Sequence, residues 1–194
     1  SPESIWVSFS ITKSFTSTLI GAAVKDGFIG SIDDTVETYL PRLKGTAYGA
    51  VSIKNILQIS SGVAWNENYA DPDSDVAKAG TYQGTQLTDY LGTLPQKHKP
   101  RKVFNYNTAE RNLLGEVLRA AVGNSATDYM NAKIWQGFGM EHWGNRMQSA
   151  PFAGETGGCC ISASVRDYAR LGIFVKNGAV NAVGESIVPD GWMA

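Results

Sequence analysis

Apolar residues recur at helical spacing along most of this chain, whereas alternating strand patterns are scarce. Two segments, 9–25 and 108–121, show the strongest pattern, with apolar residues at every third or fourth position. Gly27 and Gly123 follow these segments and can adopt the left-handed conformation that ends a helix. Further patterns predict helices at 52–59, 86–94, 125–135 and 164–175, and a short element at 32–39. Strand signals are confined to residues 5–9 and a stretch near Cys160, so the visible architecture is mainly helical.

The length and charge of the chain limit its function. A chain of 194 residues suits one domain or a large part of one. Its 17 Lys and Arg residues nearly balance 18 Asp and Glu residues, which leaves a net charge of −1 and no basic footprint for nucleic acid. No apolar run is long enough to cross a membrane. We therefore expect neither a nucleic-acid partner nor a membrane span.

Histidine and cysteine residues are too few to indicate a metal centre. His98 and His142 belong to no HExxH motif, and the two Cys residues, Cys159 and Cys160, are adjacent rather than spaced as CxxC. We therefore predict no metal ion, no other cofactor and no metal-dependent hydrolysis. Because a disulfide between neighbouring cysteines is strained, we expect two reduced, buried thiols.

Ser10 and Lys13 form a Ser-x-x-Lys motif at the start of the first predicted helix. The spacing puts both side chains on one helix face, one turn apart. A serine hydroxyl becomes a nucleophile when a neighbouring base removes its proton, and a neutral lysine can be that base. Apolar neighbours such as Phe9 and Phe15 disfavour the charged form of the lysine. A chain with 16 Ser and 10 Lys is expected to contain this spacing by chance, so a capping serine beside a solvated lysine is the alternative.

Tyr106 lies directly before the 108–121 helix. A tyrosine at such a corner can point its hydroxyl into a cleft, and beside a lysine it can relay a proton as general acid or base. The alternative is a half-buried aromatic residue whose hydroxyl binds water or the backbone. The motif alone does not decide between the two.

Taken together, the motifs resemble those of the serine β-lactamase-related hydrolases, a group that includes class C-like enzymes, penicillin-binding-protein-like esterases and 6-aminohexanoate-dimer hydrolases. The similar segments follow the family order along nearly the whole chain. They are the nucleophile helix at 9–15, the next segment at 33–41, a helix that ends in Ser60-Ser61-Gly62, the Tyr-x-Asn-like motif at 106–108 with Leu113-Leu114-Gly115, and Gly157-Gly158 before a helix with Ser164, Asp167 and Arg170. Residues 65–72 are most similar to the 6-aminohexanoate-dimer hydrolase branch.

The resemblance implies an α+β, β-lactamase/transpeptidase-like fold, in which a helical domain packs against an antiparallel sheet. We expect residues 1–194 to be one partial domain that holds mainly the helical part and lacks most of the sheet. The family's third motif, Lys-Thr-Gly or His-x-Gly on a strand, is expected after the 164–175 helix. The segment 142–144 lies before that helix and the segment 176–178 ends it, so neither fits. We therefore expect residues 1–194 alone to be inactive.

The resemblance also implies the activity and its residues. It implies a serine hydrolase that cleaves a small-molecule ester or amide through an acyl-enzyme on Ser10, with Lys13 as the base and Tyr106 as the proton relay. It further implies that Tyr69 and Thr108 bind substrate. An exposed loop aromatic is an equally good explanation of Tyr69.

Thr108 departs from the family pattern, which often has Asn at this position. The Thr108 hydroxyl can replace that amide, or the residue can merely cap its helix. The departure weakens a β-lactamase or penicillin-binding D-alanyl-D-alanine peptidase assignment more than ester or amide hydrolysis. A third possibility is a catalytically inactive binding module on the same fold, against which the presence of Ser10, Lys13 and Tyr106 argues. The natural substrate and the oligomeric state stay open, as does the choice between a cytoplasmic and a periplasmic location.

Overall fold

A computed structural model describes residues 4–123, 125–146, 148 and 154–193. Within these residues, helices pack around an apolar core beside a small antiparallel sheet. The helices are α1 (Thr12–Lys25), α2 (Val36–Tyr39), α3 (Ile53–Leu57), α4 (Asp75–Ala79), α5 (Gln86–Thr93), α6 (Thr108–Val122), α7 (Ala126–Met130), α8 (Gln136–Phe138) and α9 (Val165–Lys176). The strands are β1 (Ile5–Val7), β2 (Asn145–Arg146) and β3 (Ile161–Ser164). Tight 3-10 turns occur at Phe9–Ile11 and Pro41–Leu43, and a π-helical turn, Asn131–Trp135, joins α7 to α8.

The packing of α1 against α6 positions the two strongest sequence motifs. Phe15 and Leu19 of α1 and Leu114 of α6 are fully buried, and the two helices contact each other along this core. Burial of one such side chain contributes about 1.5–3 kcal/mol, so the contact is strong. It brings together Ser10, two residues before α1, and Tyr106, two residues before α6.

Most helix ends follow the sequence signals. Ser164 caps α9, since its side chain accepts a hydrogen bond of 3.1 Å from the backbone N–H of Asp167. Gly123 ends α6 with a φ of 83°. The cap of α6, however, is Asn107, whose side chain accepts from the backbone N–H of Glu110 at 3.0 Å. A capping role for Thr108 is therefore wrong, because Thr108 is the first residue inside the helix.

The sheet has the strand order β1-β3-β2, and both pairings are antiparallel. Ile5 pairs with Ser164, and Asn145 pairs with Ser162. The strands expected near residues 5–9 and Cys160 are confirmed. The sequence did not indicate β2, because two residues are too few to show an alternating pattern.

The Asp, Asn and Gly content of the segment 66–84 predicts a long surface loop, and most of the segment lies at the surface outside regular helices and strands. It contains the short helix α4, and the side chain of Ser74 caps this helix by accepting from the backbone N–H of Ala77 at 3.2 Å. The Asp75 carboxylate accepts a hydrogen bond of 2.6 Å from the backbone N–H of Asn66, which ties α4 to the beginning of the segment. Local polar contacts therefore order the segment where an apolar pattern is lacking.

Cys159 and Cys160 form a vicinal disulfide, so the expectation of two reduced thiols is wrong. Cys160 has a φ of 130°, which is far from regular strand conformation. In a regular strand, successive side chains point to opposite faces. The unusual backbone at Cys160 lets the two neighbouring side chains meet instead.

The described part of the chain contains no helix with the length and apolar content needed to cross a membrane. Nor do three or more His, Cys, Asp or Glu side chains come together among the described residues in a way that could hold a metal ion.

Candidate active site

The candidate site lies where the beginnings of α1 and α6 meet. Nζ of Lys13 donates a hydrogen bond of 3.0 Å to Oγ of Ser10, and the hydroxyl of Tyr106 donates another of 3.0 Å to the same atom. Nζ of Lys13 also lies 5.3 Å from the centre of the Tyr106 ring. The structure therefore brings together the three residues that the sequence predicted as catalytic.

Ser10 lies in an unusual turn. The residue before it, Phe9, has a φ of 46°, in the left-handed region that a bulky side chain rarely adopts. Such a conformation costs about 1–3 kcal/mol and persists when the surrounding structure enforces it. The turn leaves the side chain of Ser10 exposed at the surface, while Lys13, one helical turn later, is buried.

Lys13 is held by a second hydrogen bond from behind. Its Nζ donates to the backbone carbonyl of Gly158 at 2.8 Å. The backbone N–H of Gly158 in turn donates to Oδ1 of Asn112 on α6 at 2.8 Å. Nζ of Lys13 is thus fixed between Ser10 and a carbonyl that is itself anchored on α6.

The two consecutive glycines before the disulfide have a steric cause. A Cβ atom on Gly157 would lie 2.1 Å from the carbonyl oxygen of Arg111, and one on Gly158 would lie 2.7 Å from that of Thr108. Only glycine can approach the α6 backbone so closely. The glycine pair therefore lets the Gly158 carbonyl reach Lys13.

The pKa of Tyr106 is lower than its usual value of 10. Partial burial raises this pKa, but the hydrogen bond to Ser10 and the neighbouring Lys13 outweigh burial and lower it, while Glu67 raises it. A tyrosine hydroxyl with a lowered pKa exchanges its proton more readily near neutral pH, which suits proton transfer.

Tyr69 and Thr108 lie side by side, as expected of two residues in one site. The Tyr69 hydroxyl lies 3.4 Å from Oγ1 of Thr108 and donates a hydrogen bond of 2.8 Å to Oε1 of Glu67. The pKa of Tyr69 is raised, first by partial burial and also by Glu67. Whether Tyr69 and Thr108 bind substrate remains a prediction.

A cavity of about 480 Å³ adjoins this cluster. Exposed side chains, among them Ser10 and Tyr69, form its outer wall, and the buried side chains of Leu91, Ala109 and Leu113 form its inner wall. The lining is mainly apolar. Both the volume and the lining are typical of sites for small molecules.

Two residues of the site escaped the sequence analysis. Asn112 accepts a hydrogen bond from the backbone N–H of Gly158. The sequence feature that could have indicated it is a polar residue beside the apolar positions of α6. Glu67 binds both Tyr69 and Thr108. Its only signal was its place in the 65–72 segment, because a glutamate in a polar loop is usually solvated.

Comparison with known proteins shows which family the chain resembles along its length. The model of the family described as Beta-lactamase matches residues 1–190. The 6-aminohexanoate-dimer hydrolase of Paenarthrobacter ureafaciens is 25% identical over 202 residues, which cover 99% of this chain and 50% of that protein. The chain therefore spans about half the length of this relative.

Solved structures share the fold. A Bacillus anthracis protein assigned as a 6-aminohexanoate-dimer hydrolase has a TM-score of 0.83 and 22% identity, and the match covers 97% of this chain and 52% of that one. The octameric penicillin-binding protein homologue of Pyrococcus abyssi has a TM-score of 0.75 and 24% identity, over 100% of this chain and 48% of that one. The class C beta lactamase of Rhodobacter sphaeroides has a TM-score of 0.69 and 18% identity, and the match covers 100% of this chain and 55% of that one.

These matches confirm the fold class inferred from the motifs, a β-lactamase/transpeptidase-like fold of which the described residues are mostly helical. A family model that covers residues 1–190 extends over nearly the whole chain. The chain belongs to the beta-lactamase family.

Proposed function

We propose that this chain carries the nucleophile of a serine hydrolase that cleaves an ester or an unstrained amide through an acyl-enzyme. The observation that carries the proposal is the convergence of Lys13 and Tyr106 on Oγ of Ser10, each at 3.0 Å. Two donors aimed at one oxygen stabilise the negative charge that develops when this oxygen loses its proton.

The proposed acylation step uses all three residues. Oγ of Ser10 attacks the carbonyl carbon of the substrate while neutral Lys13 takes the serine proton. The tetrahedral intermediate then breaks its bond to the leaving group, whose oxygen or nitrogen receives the proton of the Tyr106 hydroxyl. Lys13 returns its proton to Tyr106, since the two groups are neighbours. The Ser10 backbone N–H supplies part of the oxyanion hole.

In the proposed second half, water attacks the acyl carbon and the bond to Oγ breaks. Neutral Lys13 takes one proton of the water, the Tyr106 hydroxyl gives its proton to the departing Oγ of Ser10, and Lys13 then returns the water proton to Tyr106, which restores the starting state. The Gly158 carbonyl keeps Lys13 within reach throughout, because its hydrogen bond at 2.8 Å does not involve the reacting oxygen.

The cavity supports an uncharged, largely apolar substrate segment. Its inner wall of Leu91, Ala109 and Leu113 favours alkyl groups, and Tyr69 with Thr108 offers hydroxyl groups near the scissile bond. Relatives named after the 6-aminohexanoate dimer make a short linear amide the first amide substrate to test. Short-chain p-nitrophenyl esters are the corresponding ester substrates.

The test uses the full-length protein that carries this chain and its Ser10→Ala variant. We expect a fluorophosphonate to label the wild type but not the variant, and ester hydrolysis to disappear with the label. Ser17→Ala is the matched control, because the Ser17 hydroxyl bonds the Ser14 carbonyl and lies outside the cluster.

Three outcomes contradict the proposal. If the fluorophosphonate still labels Ser10→Ala, another residue is the nucleophile. If the wild type is not labelled and does not hydrolyse esters, the result supports a binding module. Rapid nitrocefin turnover, or a stable penicillin adduct without ester or amide hydrolysis, supports the β-lactamase or peptidase alternative.

A further inference from the structure

The carboxylate of Glu67 connects separate parts of the site. Its Oε2 accepts hydrogen bonds from the backbone N–H of Thr108, at 3.0 Å, and from the indole N–H of Trp65. Its Oε1 accepts from the hydroxyl of Tyr69, at 2.8 Å, and from the hydroxyl of Thr108. Hydrogen bonds to a charged acceptor are about twice as strong as neutral ones, so this carboxylate is held firmly in one position.

Two of these bonds end at the beginning of α6. The first backbone N–H groups of a helix lack partners within it, and the partial positive charge there favours a carboxylate. Asn107 satisfies the N–H of Glu110, whereas Glu67, which comes from a distant part of the chain, satisfies that of Thr108. Tyr106 lies two residues before Thr108, so Glu67 also steadies the backbone that carries Tyr106.

The position of Tyr69 depends strongly on the same carboxylate. The side chain of Tyr69 is 72% exposed, so burial does little to fix the ring. Its hydroxyl contacts Glu67 and, at 3.4 Å, Thr108, which is itself bonded to Glu67. Removing the carboxylate therefore disturbs both contacts of the Tyr69 hydroxyl.

We propose that Glu67 is a positioning residue of this site, which holds the Tyr69 hydroxyl and the Thr108 end of α6 in place beside Ser10. It acts through Tyr69 and Tyr106 and not on the reacting atoms. The inference rests on the hydrolase function proposed above and adds a positioning side chain to its machinery.

The charge of Glu67 gives the proposal a second readout. The charged and titratable groups that face Tyr106 are Lys13 on α1, Glu67 and Tyr69 in the 66–74 loop, and Arg111 on α6. Burial raises the pKa of Tyr106, Ser10 and Lys13 lower it, and Glu67 raises it. Loss of the Glu67 charge therefore lowers this pKa further. A reaction that needs protonated Tyr106 then loses rate at a lower pH than in the wild type.

The experiment compares Glu67→Gln, Tyr69→Phe and the double variant in the full-length protein with a p-nitrophenyl ester. We expect Glu67→Gln to lower kcat/KM by about 10- to 100-fold, the size of a lost charged hydrogen bond. The double variant should be no slower than the slower single variant, because both changes break the same contact. The alkaline limb of the pH profile should move to lower pH in Glu67→Gln but not in Tyr69→Phe.

Two further variants separate positioning from loss of folding. Glu67→Asp keeps the charge on a shorter side chain, and we expect a lower kcat with the alkaline limb of the wild type. Asp73→Asn removes a carboxylate from the same loop, at an exposed position, and should leave both readouts unchanged.

The outcomes distinguish this inference from the function on which it rests. If a fluorophosphonate does not label Ser10 in the wild type, the proposed function fails first. If Ser10 is labelled but Glu67→Gln keeps the kcat/KM and pH profile of the wild type, Glu67 has no positioning role. Additive losses in the double variant, or an equal loss in Asp73→Asn, also overturn the inference.

Discussion

The hydroxyl of Tyr106 donates a hydrogen bond of 3.0 Å to Oγ of Ser10, although 96 positions separate the two residues in the sequence. The contact exists because α1 and α6 pack against each other with their beginnings adjacent. The proposed reacting groups therefore lie at the contact between two helices. Informative variants change a reacting group without disturbing the helix packing, or change the packing without altering a reacting group.

Lys13→Arg keeps the positive charge but removes the ability to act as a base, because a guanidinium does not lose its proton in this pH range. We expect kcat for ester hydrolysis to fall by about 10²- to 10⁴-fold. Steady-state kinetics measures the loss, with Lys176→Arg at the exposed end of α9 as the control. An Arg variant with most of the wild-type kcat would mean that Lys13 supplies only charge.

Tyr106→Phe removes one hydroxyl and keeps the ring beside Lys13. We expect kcat to fall by about 10²- to 10⁴-fold if the hydroxyl is a general acid. In the wild type, kcat/KM should fall as pH rises through the pKa of Tyr106, which lies below 10, and this fall should be absent in the variant. Tyr39→Phe, which loses a hydroxyl bonded to Asp34, is the control. A change in KM alone would make Tyr106 a binding residue.

Gly158→Ala tests the close approach of the glycine pair to α6. The new Cβ would lie 2.7 Å from the Thr108 carbonyl oxygen, so the backbone must move and take the carbonyl that binds Lys13 with it. We expect a loss of about 1–3 kcal/mol in the free energy of unfolding and a fall of about 10²-fold in kcat.

Gly172→Ala is the matched control for this substitution. Gly172 lies inside α9 with open space around its Cβ position, so alanine there should stabilise the helix by about 0.5–1 kcal/mol. Urea unfolding measures both variants. If Gly158→Ala proves as stable and as active as the wild type, the contact does not constrain the site.

Glu110→Gln tests a buried carboxyl in the first turn of α6. Burial raises the pKa of Glu110 from 4.5 to about 7, although its hydrogen bond with Ser61 lowers it in part. The folded protein therefore binds this proton more tightly than the unfolded chain does. The free energy of unfolding should therefore decrease by about 3 kcal/mol as pH rises from about 4.5 to about 7, and it should stay at the lower value above that range.

The Gln variant should lack this decrease and unfold at higher urea concentration than the wild type at pH 8. Denaturant titrations at pH 5 and pH 8 measure the difference, and Glu185→Gln at an exposed position is the control. Equal pH dependence in Glu110→Gln and the wild type would show that Glu110 does not carry this linkage.

Local sequence signals predicted the elements whose stability is largely local. The apolar periods of α1 and α6 and the end of α6 at Gly123 are confirmed. Each of these signals acts within a few residues, through side-chain period or a hydrogen bond to the next turn. The prediction that Thr108 caps α6 was wrong for a related reason. Asn107 and Thr108 are neighbouring residues that both favour the cap position, so the local sequence pattern does not distinguish them.

By itself, the sequence determined the mainly helical architecture and the family, and the Ser-x-x-Lys spacing predicted that Ser10 and Lys13 lie together, because residues three positions apart come close in any helical turn. Only the tertiary structure decided that Tyr106 reaches Ser10, that Gly158 holds Lys13 and that Glu67 joins Tyr69 to α6. These contacts join residues up to 145 positions apart. Their geometry follows from how helices pack on a shared core, and no short window of sequence contains that information.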